Sequence, residues 1–325
     1  MSSGIPGTPD PAMKPLRVAR AEAIAEDIHL FELRDPSGAD LGEFSAGSHV
    51  SVRVPNGLVR KYSLCNDPAE RDRYLIAVKR EPMGGRGGSE SMIRDVRPGS
   101  ELAVSPPANN FALVKSAAGY LFVAGGIGIT PIMAMIRQLK ATGGRFKLCY
   151  CTRSPAVTAF RDELSGAEFR GQVTIHHDQG DPARSLDLWP IVEKPKGQQL
   201  YCCGPRGLMQ AVRDMTGHWS PSAVHFEAFT EAAERKPDDK PFRVRLARTG
   251  GTVEVPAGTT ILEALRAKGL AVPSSCESGT CGTCRTRLIA GEADHRDLVL
   301  SEHEHATNIM VCVSRARSDD LVIDR

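Results

Sequence analysis

Between residues 14 and 112, apolar positions come in short runs or alternate with polar ones. Val18-Ala19-Arg20-Ala21, Ile28-His29-Leu30-Phe31, Val50-Ser51-Val52-Arg53-Val54 and Tyr74-Leu75-Ile76-Ala77-Val78 have the period or the brevity of β-strands. Asp35-Pro36, Pro55-Asn56-Gly57 and Pro98-Gly99 punctuate them as turns. Short strands at this spacing predict an antiparallel barrel or sandwich. From 113 to 229 the rhythm changes. Strands are predicted at Tyr120–Ala124, Phe146–Cys151, Val173–His176 and Leu200–Cys203. Helices are predicted from Pro131 to about Lys140, near Thr158–Leu164 and near Pro205–Met215. Such alternation is the signature of a parallel α/β sheet. A charged, Pro-bounded stretch at 230–241 then predicts a linker, and 242–325 a third unit with a hairpin (Phe242–Ala247 and Thr252–Val255) and a helix over Thr260–Ala267.

Composition narrows the function. Of 325 residues, 41% are hydrophobic and 25% charged, which excludes a wholly disordered chain. A net charge of +2 and 5% aromatics give no footprint for nucleic acid. The third unit is balanced too, with 11 basic and 11 acidic residues over 241–325. The longest uncharged run, Ser116–Ile136, is broken by Gly119, Gly125, Gly126, Gly128 and Thr130-Pro131, so no membrane span is expected. Residues 1–13 have no apolar core and are expected to be a flexible tail. Nine cysteines, an odd number, suit a reducing cytoplasm and metal or redox use more than a disulfide framework.

Four of those cysteines form a pattern. Cys276-x4-Cys281-x2-Cys284, with 27 residues before Cys312, has the plant-type [2Fe–2S] ligand spacing. The Gly, Ser and Thr residues between them let backbone wrap a cluster closely. A structural zinc would ordinarily show two short pairs, and here there is one. Cys65, Cys149, Cys151 and Cys202 fall on predicted strands and read as small buried hydrophobes. His295, His303 and His305 lack metal-motif spacing and read as a solvated surface.

Two strand-to-helix junctions carry glycine. Gly125-Gly126-Ile127-Gly128-Ile129-Thr130-Pro131 joins one strand to a helix, and Cys203-Gly204-Pro205 joins another. Either alone is compatible with an ordinary tight turn. Together, at the ends of parallel strands, they suit a pyrophosphate in one crevice. In the first unit, Arg60 and Arg86 could clamp a phosphate, with loop amides at Gly87 and Gly88 and Ser89 at a helix start. Tyr62 could stack on a ring and Ser63 could hydrogen-bond to it. Electron counting connects these sites. A nicotinamide delivers two electrons at once and a [2Fe–2S] cluster takes one, so a flavin is required between them. Asp178, after the strand ending at His176, suits a ribose hydroxyl and would repel a 2′-phosphate, which favours NADH over NADPH, although Arg153 argues the other way.

Arg60-Lys61-Tyr62-Ser63, Gly125–Pro131, Cys203-Gly204-Pro205 and the cysteine motif, in this order, resemble the phthalate dioxygenase reductase family, which feeds electrons to Rieske-type oxygenases. The segments Cys65-Asn66-Asp67, Met215–Trp219 and Gly291–Asp297 strengthen the resemblance. It covers about 14–325 and implies an FMN-binding antiparallel β-barrel (14–112), an NAD-binding parallel α/β domain (113–229) and a β-grasp plant-type ferredoxin domain (242–325). It implies FMN rather than FAD. It also implies Ser63 at the hydride-accepting position, Ala77, Val78 and Lys79 along the ring edge, and Arg60, Arg86, Gly87, Gly88 and Ser89 on the phosphate. Lys61 stands where Thr is common in the family. Thr130 would lie near flavin and nicotinamide alike, with Gly125, Gly126, Gly128, Pro131, Thr152, Asp178, Gly204 and Pro205 on the NAD side. Cys203 and Glu227 would lie near the nicotinamide, and Phe229 beside the flavin. The implied activity is passage of electrons from NADH through FMN and the cluster of Cys276, Cys281, Cys284 and Cys312 to a terminal Rieske-type oxygenase acting on an aromatic acid, by a monomer. The rival readings are a reductase for an O-demethylase or carnitine-type oxygenase, and a carrier or redox sensor with little NADH turnover.

Overall fold

The computed structural model describes residues 13–81, 87–229, 238–274 and 276–325. Two compact units emerge: Met1–Leu208 with Met215–His225, and Met209–Asp214 with Phe226–Arg325.

The first unit opens with β1 (Lys14–Ala25), β2 (Ile28–Arg34), β3 (Ser48–Arg53), β4 (Val59–Ser63), β5 (Tyr74–Lys79), α1 (Gly88–Asp95), β6 (Glu101–Val104) and β7 (Ala108–Asn109). The ladder runs β4-β3-β6-β1-β2-β5, with β7 on β3. An antiparallel bridge between Leu64 and Ile76 joins its two ends, which closes the sheet into a barrel and removes both edges. Val18, Phe31, Leu33, Val50, Val52, Leu64, Ile76 and Val78 fill the interior.

The period of two has a second consequence on β5. Tyr74, Ile76 and Val78 face the barrel interior, whereas Leu75 and Ala77 face out and join a different core. That core also contains Phe122, Ile129, Ile132, Met133 and Tyr201. These belong to the next elements: β8 (Tyr120–Gly125), α2 (Ile129–Thr142), β9 (Phe146–Thr152), α3 (Arg161–Leu164), β10 (Val173–His177), α4 (Trp189–Val192), β11 (Gln199–Cys203), α5 (Arg206–Met215) and β12 (Val224–Glu227). Barrel and parallel strands thus share one hydrophobic interior. Arg137 of α2 reinforces the seam by donating to the Cys65 carbonyl and pairing with Glu163 at 2.6 Å.

The sheet order is β10-β9-β8-β11-β12, with β10, β9, β8 and β11 parallel. Helix α2 begins two residues earlier than predicted and carries Pro131 in its first turn, where no intrahelical N–H partner is lost. The helix predicted near Thr158–Leu164 shrinks to α3, because Phe160 adopts φ 56° and interrupts any longer run. Cys65 follows β4 rather than lying within a strand, yet it is fully buried as predicted.

At the ends of β8 and β11 the two glycine junctions touch through backbone. A Cβ on Gly128 would fall into the Cys203 carbonyl and within 2.7 Å of the Gly204 nitrogen. One on Gly125 would meet the Pro205 ring at 2.5 Å, and one on Gly204 the Gly125 Cα at 2.8 Å. Gly126 differs: its φ is 52° and a Cβ there would enter open space.

The second unit contains β13 (Phe242–Leu246), β14 (Thr252–Val255), α6 (Ile261–Ala267), β15 (Arg285–Ala290), β16 (Ala293–Asp294), α7 (Glu302–His305), β17 (Asn308–Met310), β18 (Arg315–Ala316) and β19 (Asp320–Ile323). Its main sheet runs β14-β13-β19-β15-β17, with β13 and β19 parallel. Helix α6 buries Ile261, Leu262, Ala264 and Leu265 in the core that contains Val244 and Leu321, giving the β-grasp arrangement. Thr260, predicted as the first helical residue, is the N-cap. It accepts from the Glu263 N–H at 3.0 Å while Glu263 accepts from the Thr260 N–H at 2.8 Å. Asp239, in the stretch expected to be a linker, is held by Arg296 at 2.5 Å, with both side chains buried.

Two predictions follow from this packing. Gly128→Ala sets a methyl against rigid backbone and is expected to cost more than 3 kcal/mol, on the order of a severe overpacking. Gly126→Ala strains only its own φ, about 1 kcal/mol. Urea midpoints by circular dichroism will separate them, and equal losses would show that the junction contact is not tight. His49, paired in register with Ser63, is pushed down to about 4 by burial and then by Lys61. Between about pH 6.5 and pH 4 the unfolded chain therefore binds the extra proton, and stability falls as pH falls through that window. His49→Gln is expected to lose on the order of 2 kcal/mol less than the wild type between pH 7 and pH 5. Parallel pH profiles of the urea midpoint would refute this.

Candidate functional site

The parallel sheet changes direction of winding between β8 and β11, and open α/β sheets take ligands at the carboxyl ends of strands at such a point. Gly125 ends β8, Cys203 ends β11, and Ala124 and Cys203 are register partners. The contact of Gly125, Gly128 and Gly204 sits there, which leaves Gly126 facing open space at the crevice. Most of the glycine requirement, attributed from sequence to a bound pyrophosphate, is thus met by the junction itself. The buried Tyr150 hydroxyl donates to the Gly126 carbonyl at 3.1 Å and fixes its orientation. Sequence reasoning missed Tyr150, whose only signal is a hydroxyl among the buried residues of β9.

Thr130 is buried and donates to the Ile127 carbonyl at 3.0 Å in the first turn of α2, beside Pro131. Cys203 is fully buried in the shared core, and Gly204 and Pro205 lead into α5. Thr152, at the end of β9, shares its hydroxyl with Thr158 at 2.8 Å and His177 Nδ1 at 2.9 Å. Asp178 follows β10, and its Oδ1 accepts from the Gly180 N–H at 2.7 Å in a tight turn. Arg153 accompanies it, its carbonyl accepting from the Gln179 N–H at 2.9 Å. Glu227 ends β12, and Phe229 is 40% exposed; both fall in the second unit.

On the barrel, β4 alternates. Lys61 is exposed, Tyr62 packs half-buried against the barrel interior, and Ser63 is buried. The Arg60 side chain lies directly over Gly88: a Cβ on Gly88 would stand 2.8 Å from Arg60 Nε. A guanidinium is thus held at the opening of the eight-residue α1, where free amides favour an anion. Gly87 takes φ 72° and its carbonyl accepts from Asn56 Nδ2 at 3.0 Å. Asn56, read from sequence only as a turn residue, braces this loop. Ser89 accepts from the Glu81 N–H at 3.0 Å. Ala77 faces the shared core, Val78 the barrel interior, and Lys79, on the same face as Ala77, is exposed. Arg86 lies outside the described residues. A cationic side chain over a helix start, next to a strand with Tyr62 and Ser63, fits a flavin phosphate and ring.

In the second unit the four motif cysteines converge although they span 37 positions of chain. All are free thiols. The thiol of Cys276 interacts with that of Cys281, and that of Cys284 with that of Cys312. The first pairing lowers Cys276 and raises Cys281; the second lowers Cys284 and raises Cys312. Charge on Cys276 also disfavours thiolates at Cys284 and Cys312. Four sulfurs this close can all ionise only around a cation, so the donor set suits an iron cluster. The loop supplies further donors: Ser278 N–H to Cys276 Sγ at 3.4 Å, and a contact of Thr283 Oγ1 with Cys281 Sγ at 3.2 Å. Gly279 takes φ 74°, and a Cβ there would strike Val313 Cγ2 at 2.7 Å and Asp297 Cα at 3.1 Å. The cluster loop therefore needs glycine at this point for both conformation and space. Cys149 and Cys202 are buried and Cys151 is partly so; burial pushes the first up to about 11, raises the second, and pushes the third up to about 12, as expected for thiols without redox duty.

Among the described residues no helix is long and apolar enough to cross a membrane. Three domain families match the chain: an oxidoreductase FAD-binding domain over residues 15–113, an oxidoreductase NAD-binding domain over 122–214, and a 2Fe-2S iron-sulfur cluster binding domain over 244–317. The chain is 56% identical over 311 residues to the phthalate 4,5-dioxygenase oxygenase reductase subunit of Pseudomonas putida, covering 95% of this chain and 96% of that one. It is 55% identical over 311 residues to phthalate dioxygenase reductase of Burkholderia cepacia, with the same coverage. A solved structure of phthalate dioxygenase reductase, described as modular for electron transfer from pyridine nucleotides to [2Fe-2S], superposes with a TM-score of 0.72 at 54% identity, over 96% of this chain and 98% of that one. With flavin, nicotinamide and cluster domains in this order and this likeness along nearly its whole length, the chain belongs to the phthalate dioxygenase reductase family.

Proposed function

We propose that the chain draws electrons from NADH through FMN on the barrel and the [2Fe–2S] cluster of the second unit, and delivers them to a Rieske-type oxygenase acting on a phthalate-like aromatic acid. The observation that carries this reading is the shared core of barrel and parallel sheet, which holds a flavin-type cradle and a nucleotide crevice in one body, in a chain that also assembles four thiols. When bound, the flavin supplies conversion between two-electron and one-electron chemistry, and the cluster supplies one-electron carriage.

The residues' work is positional. Arg60 and the α1 amides at Gly87, Gly88 and Ser89 would hold the FMN phosphate, with Arg86 as a second cation. Tyr62, Ser63, Ala77, Val78 and Lys79 would border the ring, with the Ser63 hydroxyl donating near the hydride-accepting atom. Gly125, Gly126, Gly128, Thr130, Pro131, Gly204 and Pro205 would line the NAD crevice, with Thr152 behind it. Thr130 and Cys203 would border the reacting rings, since hydride transfer depends on alignment in a dry interface. Cys276, Cys281, Cys284 and Cys312 would bind the cluster. Asp178 would prefer NADH by repelling a 2′-phosphate. The functional divisions would fall at 14–112, 113–229 and 242–325. The free thiols suit a monomer working in a reducing cytoplasm.

Anaerobic titration tests the whole scheme. About 1.5 equivalents of NADH, three electrons for a two-electron flavin and a one-electron cluster, are expected to bleach the flavin and cluster bands fully, and NADPH to act sluggishly; no bleaching by either nucleotide would leave the carrier or sensor reading. Asp178→Asn is expected to narrow the NADH-to-NADPH ratio of kcat/KM by about tenfold, the scale of one like-charge contact. An unchanged ratio would move the selectivity elsewhere. Cys281→Ser is expected to leave NADH bleaching of the flavin intact while cytochrome reduction falls more than about tenfold, if each thiolate is a required ligand. Wild-type cytochrome reduction in a variant without cluster absorbance would take the cluster out of the path.

A further inference from the structure

Of the three histidines that the sequence leaves as a solvated surface, His303 stays exposed, but His295 and His305 are partly buried. His295 and Asp297 lie just beyond β16, and His305 ends the short α7. One ligand atom from each lies within 4.8 Å of the other two. The Asp297 side chain is completely buried. Its Oδ2 accepts from the Val299 N–H at 3.0 Å and the Leu300 N–H at 2.7 Å. Its Oδ1 has no hydrogen-bond partner, and neither do the buried His295 Nδ1 and His305 Nε2. His295 Nδ1 lies 3.9 Å from Asp297 Oδ1, too long for a hydrogen bond. Three buried polar atoms converge without satisfying one another, and such an arrangement is costly unless something between them accepts their lone pairs.

From this cluster we infer a divalent transition-metal site formed by His295, Asp297 and His305, separate from the iron–sulfur cluster. Two imidazoles and one carboxylate suit zinc and its neighbours, which take nitrogen and oxygen donors with water completing the shell. The imidazoles stack at 3.9 Å between centroids and 11° between planes. A metal lies in the plane of each ring it binds, so capture would splay this stack. The nearby Arg213 donates to the backbone carbonyls of Asp297, at 3.0 Å, and Leu300. The site also abuts the cysteine loop: the Leu298 N–H donates to the Gly279 carbonyl at 2.9 Å. A cation that fixed Asp297 would therefore brace the loop holding Cys276 and Cys281.

The test uses the full chain with flavin and cluster in place, dialysed against zinc chloride and then buffer. Elemental analysis is expected to find one zinc per chain. X-ray absorption at the zinc edge is expected to show nitrogen and oxygen neighbours at about 2.0–2.1 Å without the sulfur shell at about 2.3 Å that a misloaded cluster site would give. His295→Ala and His305→Ala are expected to weaken zinc binding at least about 100-fold, since even outer partners of a metal cost 10–100-fold. Asp297→Asn, which keeps an acceptor for Val299 and Leu300, should weaken it as well. His303→Ala, on the exposed side of the same turn, should not. The visible cluster band serves as the folding control in each variant. No stoichiometric zinc, a sulfur shell, or zinc retained by both histidine variants overturns the site.

Discussion

The contact on which the site depends is made by main chain alone. Gly128 at the head of α2 lies against the Cys203 carbonyl, and Gly125 against Gly204 and the Pro205 ring. No side chain intervenes, so two βα junctions of a parallel sheet close on each other at the point where its winding reverses. A methyl group at Gly125, Gly128 or Gly204 would prise them apart, because carbonyl and proline-ring atoms do not yield as a flexible side chain does. The crevice expected at that point then has a fixed floor, with Gly126 as the open glycine on it. Rigidity of this kind suits a reaction whose rate depends on alignment and not on a general base.

Strand periodicity sets the second constraint. On β5, alternate residues belong to two different interiors: Ile76 and Val78 to the barrel, Leu75 and Ala77 to the core shared with the parallel strands. A one-residue slip would exchange the sets and lose both interiors at once. The Leu64–Ile76 bridge and the Arg137 contact to the Cys65 carbonyl pin that register from the neighbouring turn. Flavin-type and nucleotide-type sites are thereby built on one body instead of two that must find each other.

Legibility in the sequence followed the range of the interaction. The cluster ligands are legible because Cys276, Cys281 and Cys284 act within nine positions, where spacing is geometry. The rhythm of strand and helix is legible for the same reason, although Thr260, expected to be the first helical residue, caps the helix through Glu263. Closure of the barrel by Leu64 and Ile76 is not, since a ladder's ends are joined by register and not by composition. Nor is the burden on the glycines. Their motif suggests a ligand, but Gly125, Gly128 and Gly204 each answer to a segment about 80 residues away in the chain. Phe160 is a local failure of another kind, since nothing in the helix-compatible run Thr158–Leu164 announces a residue at φ 56°.

The second unit shows how far a small domain can economise. Its core is its own, with Val244, Ile261, Leu265, Ile309 and Leu321 enclosed together. Its entry is fastened by charge: Arg296 grips Asp239 and Asp294, while Arg315 reaches the Lys240 and Pro256 carbonyls and lies over the Phe242 ring. Buried ion pairs of this sort add little to stability against an apolar alternative, but loss of one partner strands the other. Their value is positional, because Arg296 stands between His295 and Asp297 in sequence. Its anchoring to Asp239 and Asp294 fixes the backbone from which Asp297 meets the cluster loop at Gly279. Asp239 and Lys240, just before β13, and the loop that would wrap the cluster are in this way parts of one network.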